Sequence, residues 1–180
     1  MWFAPRVTVR RLIETQERPS WVPVVALAGV SQGFGWVTNH PQFASRGGVE
    51  TVAAFALFFG AAALVYSVLV RPFMLAFVGG WLGGDGDPVD IRQAMAWSLV
   101  PQALAAPLWF LLLAAYGRKA FNPQDLSLMA LPLLLLITMA TFWTVTLQVA
   151  GLAEALRFSI WRALLSLIIL SLPLLLFAAW

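Results

Sequence analysis

The chain has 180 residues, 61% of them hydrophobic and only 11% charged, with a net charge of +3 and no cysteine. A soluble domain carries about 25% charged residues, so water is excluded as the main solvent, and the length leaves no room for a second, polar domain. Without cysteine there are neither disulfides nor thiolate metal sites. Arginine supplies ten of the eleven cations, but not in a single run, which argues against nucleic acid as a partner.

In chain order, residues 1–20 read as a cytosolic interfacial segment. A short amphipathic helix is expected from Pro5 to Arg18, with Val9, Leu12 and Ile13 on one face and Arg6, Arg10, Glu14 and Glu17 on the others. Trp2 and Phe3 are placed to enter the interface, and the basic residues suit an anionic membrane surface. The competing reading is a frayed terminus. Ala26-Leu27-Ala28 lies inside the following apolar core rather than after it, so the segment is read as retained and not as a signal peptide.

Five apolar runs follow, and a run of about 20 apolar residues is what a helix needs to cross a bilayer. The first extends from about Val22 to Thr38 and carries Gly29 and Gly33, a spacing that lets two helices approach closely. Asn39-His40-Pro41 ends it. The second starts near Val49 and is apolar to Val70; Arg71-Pro72 and the apolar stretch from Phe73 to Trp81 come next. Either the helix ends near Arg71, or it continues with a kink at Pro72. In both cases Arg71 can snorkel toward headgroups.

Gly79 to Gly86 reads as a flexible turn. Asp87-Pro88-Val89-Asp90 has the form of a helix start, with Asp87 as cap and Pro88 in the first position. That third helix is expected to run through Trp97 and Pro101 to about Tyr116, with Gly117-Arg118-Lys119 closing it. Asn122-Pro123-Gln124-Asp125 repeats the capping pattern before a fourth run to about Ala150. Ser159 is a candidate cap for the fifth, which extends to Trp180. The fold class is therefore all-α: a polytopic membrane bundle of about five transmembrane helices, residues 21–180, behind a short amphipathic helix.

Orientation follows from arginine and lysine. With five spans and the N-terminus inside, the inner side holds eight: Arg6, Arg10, Arg11, Arg18, Arg71, Arg92, Arg157 and Arg162. The outer side holds three, Arg46, Arg118 and Lys119. Four spans would give seven against four, so the rule favours five. The nine tryptophans suit anchoring at headgroup level.

No catalytic constellation emerges. Asp85, Asp87 and Asp90 lack the glycine and closing glutamate of a calcium loop, and capping already explains two of them. The glycine-rich turn follows no strand and ends in no lysine-serine pair, so it is not a phosphate cradle. His40 in an outer loop is read as solvated, and Ser98 belongs to the inner end of a span, so the two are not expected to meet. Glu154 and Arg157 read as a solvated turn. Gln102, Thr138, Thr141, Thr144, Thr146 and Gln148 lie within spans, where interhelical hydrogen bonding accounts for them. Arg71 is the exception, because an ionisable residue within an apolar stretch is a functional candidate by default.

From Asp90 to Pro101 the chain reads Asp-Ile-Arg-Gln-Ala-Met-Ala-Trp-Ser-Leu-Val-Pro, after the turn Trp81-Leu82-Gly83-Gly84. This resembles the bacterial branch of the Yip family, the Ypt/Rab-interacting membrane proteins. Pro5-Arg6-Val7-Thr8-Val9-Arg10-Arg11-Leu12-Ile13 is similar to the family's opening, and Phe158-Ser159-Ile160-Trp161-Arg162-Ala163 to one of its turns. The resemblance implies five spans, a cytosolic N-terminus and a C-terminus on the far side, in the inner (plasma) membrane of a bacterium. It implies no enzymatic activity and no cofactor. Eukaryotic relatives take part in vesicle traffic and bind small prenylated GTPases, but this chain lacks their long cytosolic N-terminal region, so GTPase binding is not carried over.

The leading expectation is a non-enzymatic membrane protein that organises membrane proteins or lipids. Its contact residues for the lipid bilayer or a membrane-protein partner are Arg6, Arg10, Arg11, Arg71, Arg92 and Arg157. Partners would meet the inner face through the N-terminal helix, the Gly79–Asp90 turn and the Glu154–Arg162 turn. Gly29, Gly33 and Pro101 are the candidate helix-packing positions, and the two glycines serve equally for a homo-oligomer or a contact within the chain. The alternative is a small membrane transporter or channel component, supported by Arg71, Gln102 and the threonines of the fourth span.

Overall fold

Helix α1 (Val22–Asn39) opens the described part of the chain and is 18 residues long. At about 1.5 Å per residue it reaches about 27 Å, close to the roughly 30 Å of a bilayer's hydrocarbon core. The computed structural model describes residues 20–40, 42, 48–121 and 128–178, and all regular structure among them is helical. The expected N-terminal amphipathic helix with Arg6, Arg10 and Arg11, and the capping pattern at Asn122–Asp125, lie outside the described residues.

The end of α1 explains why Asn39-His40 stops it. Thr38 Oγ1, Asn39 Nδ2 and His40 Nδ1 donate to the carbonyls of Phe34, Gly35 and Trp36, at 3.0, 3.0 and 2.9 Å. Consecutive side chains thus fold back onto carbonyls four residues earlier, and of these the Trp36 carbonyl belongs to the last turn, where intrahelical partners run out. A carbonyl only accepts, so Nδ1 of His40 carries a proton. The ring also stacks on Trp36, with centroids 4.1 Å apart. His40 is therefore half-buried and engaged as a helix cap, where plain solvation was expected.

Helix α2 (Val49–Val65) passes into a π-helical turn, Tyr66–Val70, and then into α3 (Arg71–Trp81) without leaving helical backbone. Of the two readings at Arg71-Pro72, the structure takes continuation. Proline at position 72 cannot donate to the Val68 carbonyl, and its ring crowds that carbonyl. The wider turn just before it is the form such relief commonly takes.

Helix α4 (Pro88–Ser98) is capped as the sequence indicated: Asp87 Oδ1 accepts from the Val89 amide at 2.8 Å. The expected helix through Pro101 runs on to Tyr116, with one irregular position at Leu99. Regular hydrogen bonding lapses at Leu99, which keeps right-handed angles (φ −82°, ψ −2°), and the second segment of the run, α5 (Val100–Tyr116), has Pro101 in its first turn. Proline tolerates a first turn because its missing amide would be unpaired there in any case. Gly117 closes α5 with φ +57°, and 3₁₀ turns follow at Gly117–Phe121 and Leu128–Ala130. Helix α6 (Leu131–Ala155) and helix α7 (Ile160–Ala178) complete the chain. At the start of α7 the Arg162 amide points to Ser159 Oγ at 3.4 Å and the Ala163 amide to the Ser159 carbonyl at 3.1 Å. Ser159 is thus the cap the sequence suggested.

Among the described residues two helical runs are long and apolar enough to cross a membrane, Pro88–Tyr116 and Leu128–Ala155. The chain forms two compact units. Among the described residues, one combines Val22–Val65 with Leu99–Thr144, and the other is built from Tyr66–Ser98 and the chain from Val145 onward. The first unit has an aromatic core in which Phe34 stacks with Trp109 and Phe121, at 6.0 and 5.8 Å between centroids. Trp109 is only 4% exposed, so this tryptophan fills a core and is not an interfacial anchor. The second unit buries Leu75 of α3, Ile91 and Met95 of α4, Leu152 and Leu156 at the end of α6, and Phe158 and Ala163 around the start of α7.

Candidate functional site

In the second unit, the two turns that the sequence assigned to one side of the membrane lie against each other. Both begin as the same helix ending. At the close of α3, the Gly84 amide donates to the Gly79 carbonyl at 2.9 Å and Gly83 to Gly80 at 3.1 Å. At the close of α6, Phe158 donates to Ala153 at 3.1 Å and Arg157 to Glu154 at 3.2 Å. Each is a Schellman motif, with bonds from the two residues past the cap back into the last turn. Gly83 takes the required left-handed position with φ +80°, which a residue without Cβ adopts freely. Arg157 takes the equivalent position with φ +54°, and it is the only described non-glycine residue with positive φ.

The joint between the turns is made of backbone. The Asp85 amide donates to the Leu156 carbonyl at 3.2 Å. A methyl group at Gly86 would come within 2.6 Å of the Ala155 carbonyl oxygen, and one at Gly79 within 2.6 Å of Leu156 Cδ1. The glycines of the 79–86 stretch are thus partly a packing requirement, and the turn is more than a flexible link. Around this joint stand exposed Asp85, Asp87, Arg157 and Arg162 and half-buried Asp90, Arg92 and Glu154. Arg92 Nε is buried without a hydrogen-bond partner among the described residues. Trp81 and Trp161 flank the joint and are 72% and 77% exposed, the placement of residues that meet headgroups.

Arg71 lies elsewhere in the same unit. Its Nη2 donates to Gln148 Oε1 at 2.8 Å, across 77 positions of sequence. The two line a cavity of about 370 Å³ with Tyr66, Ser171 and apolar side chains of α6 and α7. The guanidinium is therefore held by a fixed partner, which snorkelling alone did not anticipate. Gln148 was legible as a polar residue within a span, but nothing in the sequence paired it with Arg71.

The remaining polar candidates are used locally. Gln102 Nε2 donates to Ser31 Oγ, and Thr141 Oγ1 to Gln102 Oε1, each at 3.3 Å. Ser98 Oγ donates to the Met95 carbonyl at 2.6 Å. These are the helix-to-helix and helix-internal bonds expected of polar groups in an apolar bundle. Gly29 and Gly33 of α1 meet α2 within the chain: a Cβ at either would lie 2.7 Å from the backbone of Gly60 or Ala56. Pro101 is placed at the start of α5, as described above. No group of three or more histidine, cysteine, aspartate or glutamate side chains suited to a metal is present among the described residues.

No curated protein and no solved structure matches the chain. The Yip1 domain model matches it over residues 1–180. The chain therefore belongs to the Yip1 family, and is by that membership a membrane protein associated with trafficking.

Proposed function

We propose that this protein is a non-enzymatic membrane organiser that engages a membrane-protein partner through one polar face. The observation that carries this reading is the backbone joint between the Gly79–Asp90 and Glu154–Arg162 turns. Two loops far apart in sequence are locked into one small surface, with arginines and acids around it and exposed tryptophans at its edge. A rigid, mixed-charge patch of that kind suits recognition, because ordering it costs little on binding. The basic N-terminal segment with Arg6, Arg10 and Arg11 adds charge that favours an anionic cytoplasmic leaflet.

The topology that goes with this function has five spans within one Yip1-like domain at residues 21–180. The N-terminus is cytoplasmic and the C-terminus lies on the far side of a bacterial inner membrane. Its support is the eight-to-three distribution of arginine and lysine. Under it, the paired turns face the cytoplasm. The transporter alternative loses Gln102 and Thr141 as support, since those groups bond to one another and to Ser31.

The test is extraction of the tagged full-length protein from its native membrane in lipid nanodiscs. A stoichiometric partner is expected with the wild type. Its recovery should fall about tenfold in Arg157→Glu/Arg162→Glu, the change that loss of one charge-assisted contact produces. Arg10→Glu/Arg11→Glu should weaken it as well. Undiminished recovery from the turn variant would sink the proposal.

A further inference from the structure

We propose that the Arg71 cavity binds the phosphate head of an anionic membrane phospholipid, with an acyl chain lying along α7. Arginine has five N–H donors and no acceptor. Among the described residues one of Arg71's donors is matched, by Gln148, and no carboxylate pairs with it. A cation in apolar surroundings is ordinarily paired. The planar fork of an arginine fits two phosphate oxygens. Gln148 fixes one edge of that fork and leaves the rest for a ligand.

The cavity also fits the rest of such a molecule. Its polar groups are Tyr66, Arg71, Gln148 and Ser171, and the rest of its lining is apolar, including leucines of α7 such as Leu164 and Leu167. Val145 and Ile168, also in its lining, are 48% and 46% exposed. An opening lined by exposed aliphatic side chains suits hydrocarbon better than water. Gln148 lies seven residues before the end of α6 at Ala155, a rise of about 10 Å at about 1.5 Å per residue. On the five-span reading that level is the inner leaflet, where headgroup phosphates give way to acyl chains. The cavity and its chemistry stand without that reading; only the choice of leaflet rests on it.

The full-length protein in detergent would be examined by native mass spectrometry with three probes. These are phosphatidylglycerol, diacylglycerol with the same chains, and inorganic phosphate. Phosphatidylglycerol should be retained, diacylglycerol about tenfold less, and excess inorganic phosphate should not displace the lipid. Arg71→Met should lower retention about tenfold, the scale of one charge-assisted hydrogen bond, and Arg71→Lys should lower it less. Leu167→Trp leaves Arg71 in place and fills the cavity, so it should also exclude the lipid; this variant serves if Arg71→Met does not fold. Equal retention of both lipids, or full retention by Leu167→Trp, would overturn the proposal. Displacement by inorganic phosphate would overturn it too, by making the cavity a free-anion site.

Discussion

The two units solve helix packing in opposite ways. In the unit built on α1, α2 and α5, small residues let backbones touch, and the space left over is filled by stacked rings around Phe34. Nothing else can enter such a contact. In the other unit, the close backbone contact described above is the joint between the turns. Farther along α6 and α7 the packing stays open around Arg71. Small residues drive association where lipid removes any hydrophobic incentive for helices to meet. A charge with room beside it has a different use: Arg71 bonds to Gln148 and keeps further donors for whatever fills the room. On the proposals above, the difference separates a packing contact from a surface for ligands.

The most severe way to break the comparison is Gly33→Leu. A Cβ there would already stand 2.7 Å from Ala56 Cα and its carbonyl oxygen, and backbone cannot swing aside. The loss should reach at least about 3 kcal/mol, the upper end of overpacking effects, and little folded protein should be recovered in detergent. Gly35→Leu is the control, because its nearest neighbour would be Trp109 Cζ2 at 4.0 Å; its thermal midpoint should stay near wild type. Next is Gly86→Ala, which sets a methyl 2.6 Å from the Ala155 carbonyl oxygen. A cost of about 1–3 kcal/mol is expected, with recovery of the partner reduced alongside the thermal midpoint. A Gly86→Ala protein as stable as wild type would mean that the joint between the turns is loose.

Much of this was legible in the sequence because its signals are local. Asp87-Pro88, Ser159 and Gly117 each act within a few residues, and each does in the structure what its residue type suggests. The close-packing spacing of Gly29 and Gly33 was equally plain, although not that Gly60 and Ala56 would receive them. What could not be read depends on distant partners. Arg71 and Gln148 are 77 positions apart, and no periodicity links them. The helix through Pro101 was legible, but the irregular turn at Leu99 was not. Proline inside an apolar run can be absorbed without a mark, as Pro107 is within α5, or can leave a local irregularity, as Pro101 does, and packing decides which. Trp109 was misleading because tryptophan serves an interface and an aromatic core equally well.

A smaller effect is expected from Gln102→Leu. Its two bonds, at 3.3 Å each, are long for hydrogen bonds. Interhelical hydrogen bonds in membranes average about 0.6 kcal/mol, so a destabilisation of about 1 kcal/mol is predicted from thermal unfolding. The same variant sharpens the functional contrast. If Gln102 is a packing residue, reconstituted vesicles should have the same proton leak with wild type and variant. A leak present in the wild type and abolished by Gln102→Leu would revive the transporter reading and make this unit more than a structural crossing.

The smallest effect should have the opposite sign. Arg157 holds a left-handed backbone conformation that costs an L-residue about 1–2 kcal/mol, at a position where glycine is the usual occupant. Replacing it by glycine removes that strain but adds unfolded-chain entropy of roughly 0.5–1 kcal/mol. Arg157→Gly should therefore be about 0.5 kcal/mol more stable, seen as a slightly higher thermal midpoint. Strain retained against an easy remedy is a pointer to function. The guanidinium, exposed beside the paired turns, is what the substitution gives up. A variant that is more stable yet recovers less partner would separate the two roles. A variant that gains stability and loses nothing would leave Arg157 a helix ending that glycine serves better, and would shift the weight of recognition to Arg162 and the N-terminal arginines.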